Sequence, residues 1–200
     1  QLVLLDAVLD ANARVVVVLV NGSTVAMEPW CDRVPAILEC WLGGQAAGGA
    51  IADVLTGAAE PGGRLAETVP VRLTDIPSTL NFPGDPGVVR YGEGIFVGYR
   101  AHDRLDQRVS FPFGHGQSYT TFDLTDLEVV VSGAVNDEAG QLSAAVSVTV
   151  TNTGSRRGAH VVQVYVGDDD VAVARPPREL KGFAKVHLDA GASERVTIVL

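Results

Sequence analysis

Two hundred residues with a formal net charge of −9, 46% hydrophobic and 20% charged, describe an ordinary globular chain long enough to bury a sizeable core. The acidic balance without a Lys/Arg cluster argues against nucleic acid or anionic lipid as partner, since both require a positive footprint. No run approaches the roughly 18 consecutive apolar residues of a membrane span. Small neutral substrates stay open.

Along the chain, "QLVLLDAVLDAN" (1–12) places apolar residues at helical spacing, and "RVVVVLV" (14–20) is a continuous β-branched run of the kind found in parallel strands buried on both faces. "VAMEPWCDR" predicts a short helix or turn, "VPAILECWL" (34–42) a second buried strand, and "AAGGAIADVLTG" (46–57) a helix stopped by Gly57. This order implies a parallel sheet with helices on its faces. Cys31 and Cys40 are too few for a disulfide framework and lack zinc spacing, so both are expected as buried free thiols. Asn21-Gly22-Ser23 is formally a glycosylation sequon, but its place after an apolar run predicts a turn.

Residues 58–121 change character. Pro61, Pro70, Pro77, Pro83, Pro86 and Pro112 interrupt any long element, and "GRLAETVP" and "GIFVGYR" are the candidates for short strands within an extended connector draped over a larger body. From Phe122 the period becomes two. Five strands are predicted in "DLTDLEVVVSG", "LSAAVSVTVTNTG", "AHVVQVYVG", "ELKGFAKVHLDAG" and "SERVTIVL", with Val146, Val148 and Val150 on one face and Ser147, Thr149 and Thr151 on the other. A sandwich of the immunoglobulin or fibronectin type III sort has about seven strands. Five strands, with ends at Gln1 and inside the last apolar alternation, read as a fragment.

Chemistry-bearing motifs are sparse. "WLGGQAAGGA" (41–50) sits at a strand-to-helix junction with Gly43 and Gly48 at phosphate-loop spacing, yet Gly49-Ala50 follow where Lys-Ser/Thr is required; the glycines are expected to serve a tight turn and close helix packing. Ser118 near His115 lies in no GxSxG elbow. His102, His160 and His187 stand apart in sequence, the last two on strands at exposed or half-buried positions. Glu28, Asp32, Glu93 and Asp103 could supply paired carboxylates, though no spacing selects them; Glu28 and Asp32 read as surface or cap residues. Asp168-Asp169-Asp170 reads as a solvated loop without the Gly and distal Glu of a calcium loop.

Five strings taken in order, "VVVVLVNGSTVAMEPW", "VPAILECWLGGQAAGGAIADVLTGAAEPGGRLAETVP", "YGEGIFVGYR", "FPFGHGQSYTTF" and "RPPRELKGFAKVHLDAGASERVTIVL", resemble the C-terminal half of the β-glucosidases of glycoside hydrolase family 3 over essentially the whole chain. The resemblance implies the later part of an α/β/α sandwich at 1–64, a connector at 65–121 and a truncated fibronectin type III-like (immunoglobulin-like) β-sandwich at 122–200. It also implies an aspartate nucleophile in an N-terminal barrel and a glutamate acid/base shortly before residue 1. No catalytic, cofactor-binding or metal residue is therefore carried onto this chain, and no cofactor is expected. The implied substrate is a β-glucoside or oligosaccharide bound through the barrel, with no nucleic acid or membrane partner. Sugar preference, compartment and oligomeric state are left open.

Relatives commonly read Pro-Gly-Gln-Glu-Gly-Gly where this chain has Gly43-Gly44-Gln45-Ala46-Ala47-Gly48, which removes the proline and the glutamate. In the same light, His115 is expected to be structural: Gly114 and Gly116 give the backbone its freedom, the aromatics pin the connector, and the imidazole hydrogen-bonds across the seam. The competing class is a non-catalytic carbohydrate-binding or interaction module. It would want a row of exposed aromatics, and the β domain offers Phe122, Tyr165 and Phe183.

Overall fold

A computed structural model describes residues 1–28, 30–133, 142–168 and 172–200. The chain divides into two compact units, one built from 1–59 and 65–115, the other from 60–64 and 116–200.

In the first unit, α1 (Leu2–Ala11) precedes β1 (Val16–Leu19), β2 (Ala36–Glu39) pairs with β1 in parallel from Val16↔Ala36 to Leu19↔Glu39, and α2 (Ala47–Thr56) follows. The predicted helix–strand–strand–helix order is present. Helical spacing turns Leu5 and Leu9 to one side, where they join Val17, Leu19 and Ile37 around buried Met27, Trp30, Val34 and Val69. Asp6 and Asp10, also four apart, face Arg33 at 2.6 and 3.7 Å. Gly57 closes α2 at φ 77°, the left-handed position that helix ends reserve for glycine.

Burial of β1 on both faces is not reached. Val16 and Val20 stay 49% and 60% exposed, because among the described residues no further strand flanks the pair to shelter its ends. Both cysteines are free but half-buried, not buried as expected.

The connector stretch holds more order than its prolines suggest. β3 (Val69–Pro70) pairs antiparallel with β4 (Val109–Phe111), and a six-residue α3 (Tyr99–Arg104) lies between them. "GRLAETVP" thus ends in a strand, whereas "GIFVGYR" does not form one. Gly94 and Gly98 take φ 58° and 54° there, and the second opens α3.

In the second unit all five predicted strands form: β5 (Phe122–Ser132), β6 (Ser143–Asn152), β7 (Gly158–Val166), β8 (Glu179–Leu188) and β9 (Ser193–Val199). One antiparallel sheet runs β5-β6-β9 and the other β7-β8. Val148 and Val150, with Val162, Val186, Leu188, Val196 and Ile198, form the core between the sheets. On the opposite face of β6, Ser147 and Thr151 meet Thr197 and Ser193 of β9 at 2.8 Å, hydroxyl to hydroxyl.

A bulge shifts the β5 register between Thr125 and Glu128. Arg195 clamps it by donating to the Asp126 carbonyl at 3.2 Å and to Glu128 at 2.7 Å. Gly182 marks a close approach, since a Cβ there would meet Ile198 and Leu200. The face of β5 in register with the core side of β6 is open: Leu124, Val129 and Val131, opposite Val150, Val146 and Ala144, are each about half exposed or more.

Candidate functional site

Three of the four carboxylates that paired chemistry would draw on are engaged separately. Glu28 faces Arg108 at 3.7 Å, Asp32 accepts from the Cys31 thiol at 3.8 Å, and Glu93 accepts from the Asn81 amide at 3.4 Å, while the backbone carbonyl of Asp103 accepts the Asp106 N–H at 3.3 Å. An open cleft of about 330 Å³ in the first unit takes in Glu28 but none of the other three. Its second carboxylate is Asp75, which sequence reasoning did not single out; Val71, Arg72, Gln107 and Arg108 complete the lining.

Asp75 arrives there through a capping arrangement at the Leu73–Asp75 turn. It accepts the Arg72 backbone N–H at 3.2 Å and pairs with the guanidinium at 3.0 Å. These contacts, with Arg72 foremost, hold its carboxyl below the ordinary value. A general acid at neutral pH needs the opposite shift. The cleft thus holds carboxylates neutralised by arginines and is poorly suited to protonating a leaving group.

Histidines fall in separate surroundings. His102 is buried, with Nδ1 at 2.9 Å from the Gln107 side-chain oxygen, and His187 is exposed on β8. Half-buried His160 lies 5.2 Å from the Phe122 ring, its pKa lowered by burial and by Arg64. Among the described residues no three His, Cys, Asp or Glu side chains are grouped to hold a metal ion. Burial pushes both cysteine thiols up, Asp32 adding to the effect at Cys31 and Glu39 at Cys40, which makes them poor nucleophiles. Asp168 is described, while Asp169 and Asp170 lie outside the described residues.

His115 sits in a backbone latch. Its carbonyl accepts the Leu65 N–H at 2.7 Å, its own N–H reaches the Pro112 carbonyl at 3.0 Å, and Gly114, at φ 80°, returns an N–H to the Leu65 carbonyl at 2.8 Å. The ring lies 5.2 Å from Phe111, and Phe113 stacks on Tyr99 at 4.8 Å. A Cβ on Gly116 would run into the Gly63 carbonyl and the Arg64 stem. Ser118 accepts the Thr120 N–H at 3.2 Å, a turn contact.

At the glycine-rich junction, Gly43 lies against Ala47 and Gly44 holds φ 66°, which fits the tight turn. Gly48 and Gly49 face open space, so the close helix packing expected of them is not made. Just before this turn, Trp41 holds a positive φ of 48°, a conformation that costs an L-residue about 1–2 kcal/mol. Its N–H is accepted by Glu39 at 2.9 Å. The sequon also turns inward: Asn21 donates to the Ser23 carbonyl at 2.7 Å and to Glu39 at 3.3 Å. Nothing in the hydrophobic pattern marks Asn21, Glu39 and Trp41 as a group.

Residues 1–119 match the family model for the glycosyl hydrolase family 3 C-terminal domain, and residues 160–200 match a fibronectin type III-like domain. The chain is 49% identical, over 98% of its length, to thermostable beta-glucosidase B of Acetivibrio thermocellus, covering 25% of that protein. It is 48% identical over its whole length to an exo-alpha-(1->6)-L-arabinopyranosidase of Bifidobacterium breve, covering 26% of it. A crystal structure of the Bifidobacterium adolescentis GH3 beta-glucosidase superposes on 98% of the chain with a TM-score of 0.92 and 49% identity, over 28% of that structure. The chain thus spans about a quarter of the length of the curated relatives it matches.

Proposed function

The chain belongs to glycosyl hydrolase family 3, and on that premise we propose that it is the C-terminal portion of a retaining β-glucosidase-type hydrolase that removes terminal β-linked glucosyl or similar residues, its own role being scaffold. The observation that carries this is identity near one half along the whole chain with beta-glucosidases, over a part that makes up only a quarter of them. The division of labour at 64 and 121 is part of the same proposal, supported by the parallel β1–β2 pair before the first boundary and the antiparallel sheets after the second.

Retaining hydrolysis needs two carboxylates about 5–5.5 Å apart, one a nucleophile and one an acid/base whose pKa is raised. The cleft supplies Asp75 shifted the wrong way, and Glu28, Asp32 and Glu93 answer to separate partners. Both reacting carboxylates are accordingly assigned outside these 200 residues. Named relatives include an arabinopyranosidase beside the glucosidases, so identity near one half over this quarter does not by itself fix the sugar.

A carbohydrate-binding module is less well supported. Of its three aromatics, Phe122 packs on the core, Tyr165 is half-buried under Arg178, and Phe183 is 68% exposed and stands without an exposed aromatic beside it on β8.

Hydrolysis of an aryl β-glucoside by the purified 200-residue chain, beside the product of the complete gene, tests the proposal. Only the complete product is expected to cleave. Turnover by the short chain would overturn the scaffold assignment and direct attention to Glu28 and Asp75.

A further inference from the structure

The C-terminal ends of β1 and β2 lie side by side, since the strands are parallel and the Cys40 N–H still reaches the Leu19 carbonyl at 2.9 Å. Open α/β sheets take their ligands at this edge, where loops leave the strands. Two local features there run against stability. Trp41 has φ 48°, which a bulky residue adopts only when its surroundings enforce it. The side-chain oxygen of Asn21 is buried and finds no hydrogen-bond donor among the described residues. Turning the amide over brings no relief, because its nitrogen already serves two acceptors.

Both features depend on one carboxylate. Glu39 accepts the Asn21 amide with Oε2 and the Trp41 N–H with Oε1. The relay from Asn21 through Glu39 fixes the backbone from which the indole projects, and the indole itself is only half-buried. A backbone held outside its local preference by the surrounding structure is a pointer to function.

We propose that Trp41 is a substrate-contacting residue of the full-length protein, its indole forming a wall on which a pyranose ring stacks, with Glu39 and Asn21 as positioning residues. The choice of a sugar as ligand rests on the glycosidase reading above. A pyranose presents an apolar C–H face that matches an indole, and such sites pair an aromatic wall with a few polar groups.

The test uses the full-length protein with Trp41→Gly, Trp41→Phe and Glu39→Gln. Glycine accepts a positive φ without strain, so Trp41→Gly is expected to keep or raise the thermal midpoint. Its KM for an aryl β-glucoside and for cellobiose is expected to rise roughly three- to tenfold, as for loss of one stacking contact, with kcat changed less. Trp41→Phe should recover most of the loss, and Glu39→Gln should raise KM in the same direction. A lowered midpoint with wild-type KM in Trp41→Gly assigns Trp41 to loop anchoring and overturns the proposal. Where Trp41→Gly fails to fold, wild-type KM in Glu39→Gln overturns it equally. If the unaltered full-length protein cleaves no aryl glycoside, the glycosidase reading falls, and cellobiose titration decides the inference alone: a fluorescence change lost in Trp41→Phe supports it, and no such change refutes it.

Discussion

Asn152 offers the sharpest test of how the second unit is held. It is fully buried at the end of β6. Its side-chain oxygen accepts from Thr120 at 2.7 Å and from the Gly154 N–H at 3.1 Å, and its amide donates to the Arg156 carbonyl at 2.7 Å and the Leu188 carbonyl at 3.0 Å. Its backbone binds Ala192 and Gly191. One side chain therefore joins the loop before β5, the β6–β7 turn and the end of β8. Asn152→Ala strands the Leu188 carbonyl in a dry setting, at about 1–3 kcal/mol, and weakens three part-buried contacts worth about 0.5–1 kcal/mol each. A loss of about 2.5–6 kcal/mol is expected, with its centre equivalent to roughly 2 M in a urea midpoint for a small domain. Both tryptophans, Trp30 and Trp41, belong to the first unit. Unfolding of the second unit is therefore followed by far-ultraviolet circular dichroism or by hydrogen exchange of the β6 and β8 amides. Thr120→Val removes one of the four contacts and should cost about 1 kcal/mol, with the double variant less than additive because the two share a bond. A loss under about 1 kcal/mol for Asn152→Ala, or strict additivity, would refute the reasoning.

Further outcomes follow from other contacts. His115→Ala removes a ring contact with Phe111 worth about 0.5–1.5 kcal/mol, so in the full-length protein the thermal midpoint should fall by a few degrees while turnover per folded molecule is kept; lost turnover at an unchanged midpoint contradicts this. Lys181 and Arg175 hold the Glu179 carboxyl at about 2, below its ordinary 4.5, so their contribution is complete above about pH 4.5 and drains away as pH falls toward 2. Glu179→Gln should flatten the fall in urea midpoint over that window, and an unchanged slope would count against the ion pairs. His160, its pKa lowered from 6.5 by burial and by Arg64, takes its proton first in the unfolded chain, so stability also declines below about pH 6.5 and His160→Gln should remove that step. Finally, Val129 and Val131 on the open face of edge strand β5 should make the isolated chain self-associate with rising concentration; sedimentation of Val129→Lys should shift toward monomer, and concentration-independent monomer in the unaltered chain rules the patch out.

Local periodicity and punctuation determined a good deal by themselves. The 3.6 spacing of Leu5 and Leu9, the valine-rich run at Val16–Leu19, Gly57 at its helix end and the alternation through Val146–Thr151 each specify an element from neighbours in sequence, and each element formed. Motif order did the same for the family. What tertiary structure decided depends on residues brought together from afar. "GIFVGYR" reads as a strand by composition, yet positive φ at Gly94 and Gly98 makes it a turn into α3. The latch of Leu65 with Gly114 and His115 spans about fifty positions and is made of backbone groups, which no side-chain pattern announces. Asp75 enters the cleft through a cap with Arg72, and Asn21, Glu39 and Trp41 meet because two parallel strands end together. Burial too was settled by the fold: hydrophobicity predicts that Val16, Val20 and the valines of β5 seek cover, but only the count of neighbouring strands determines whether they find it.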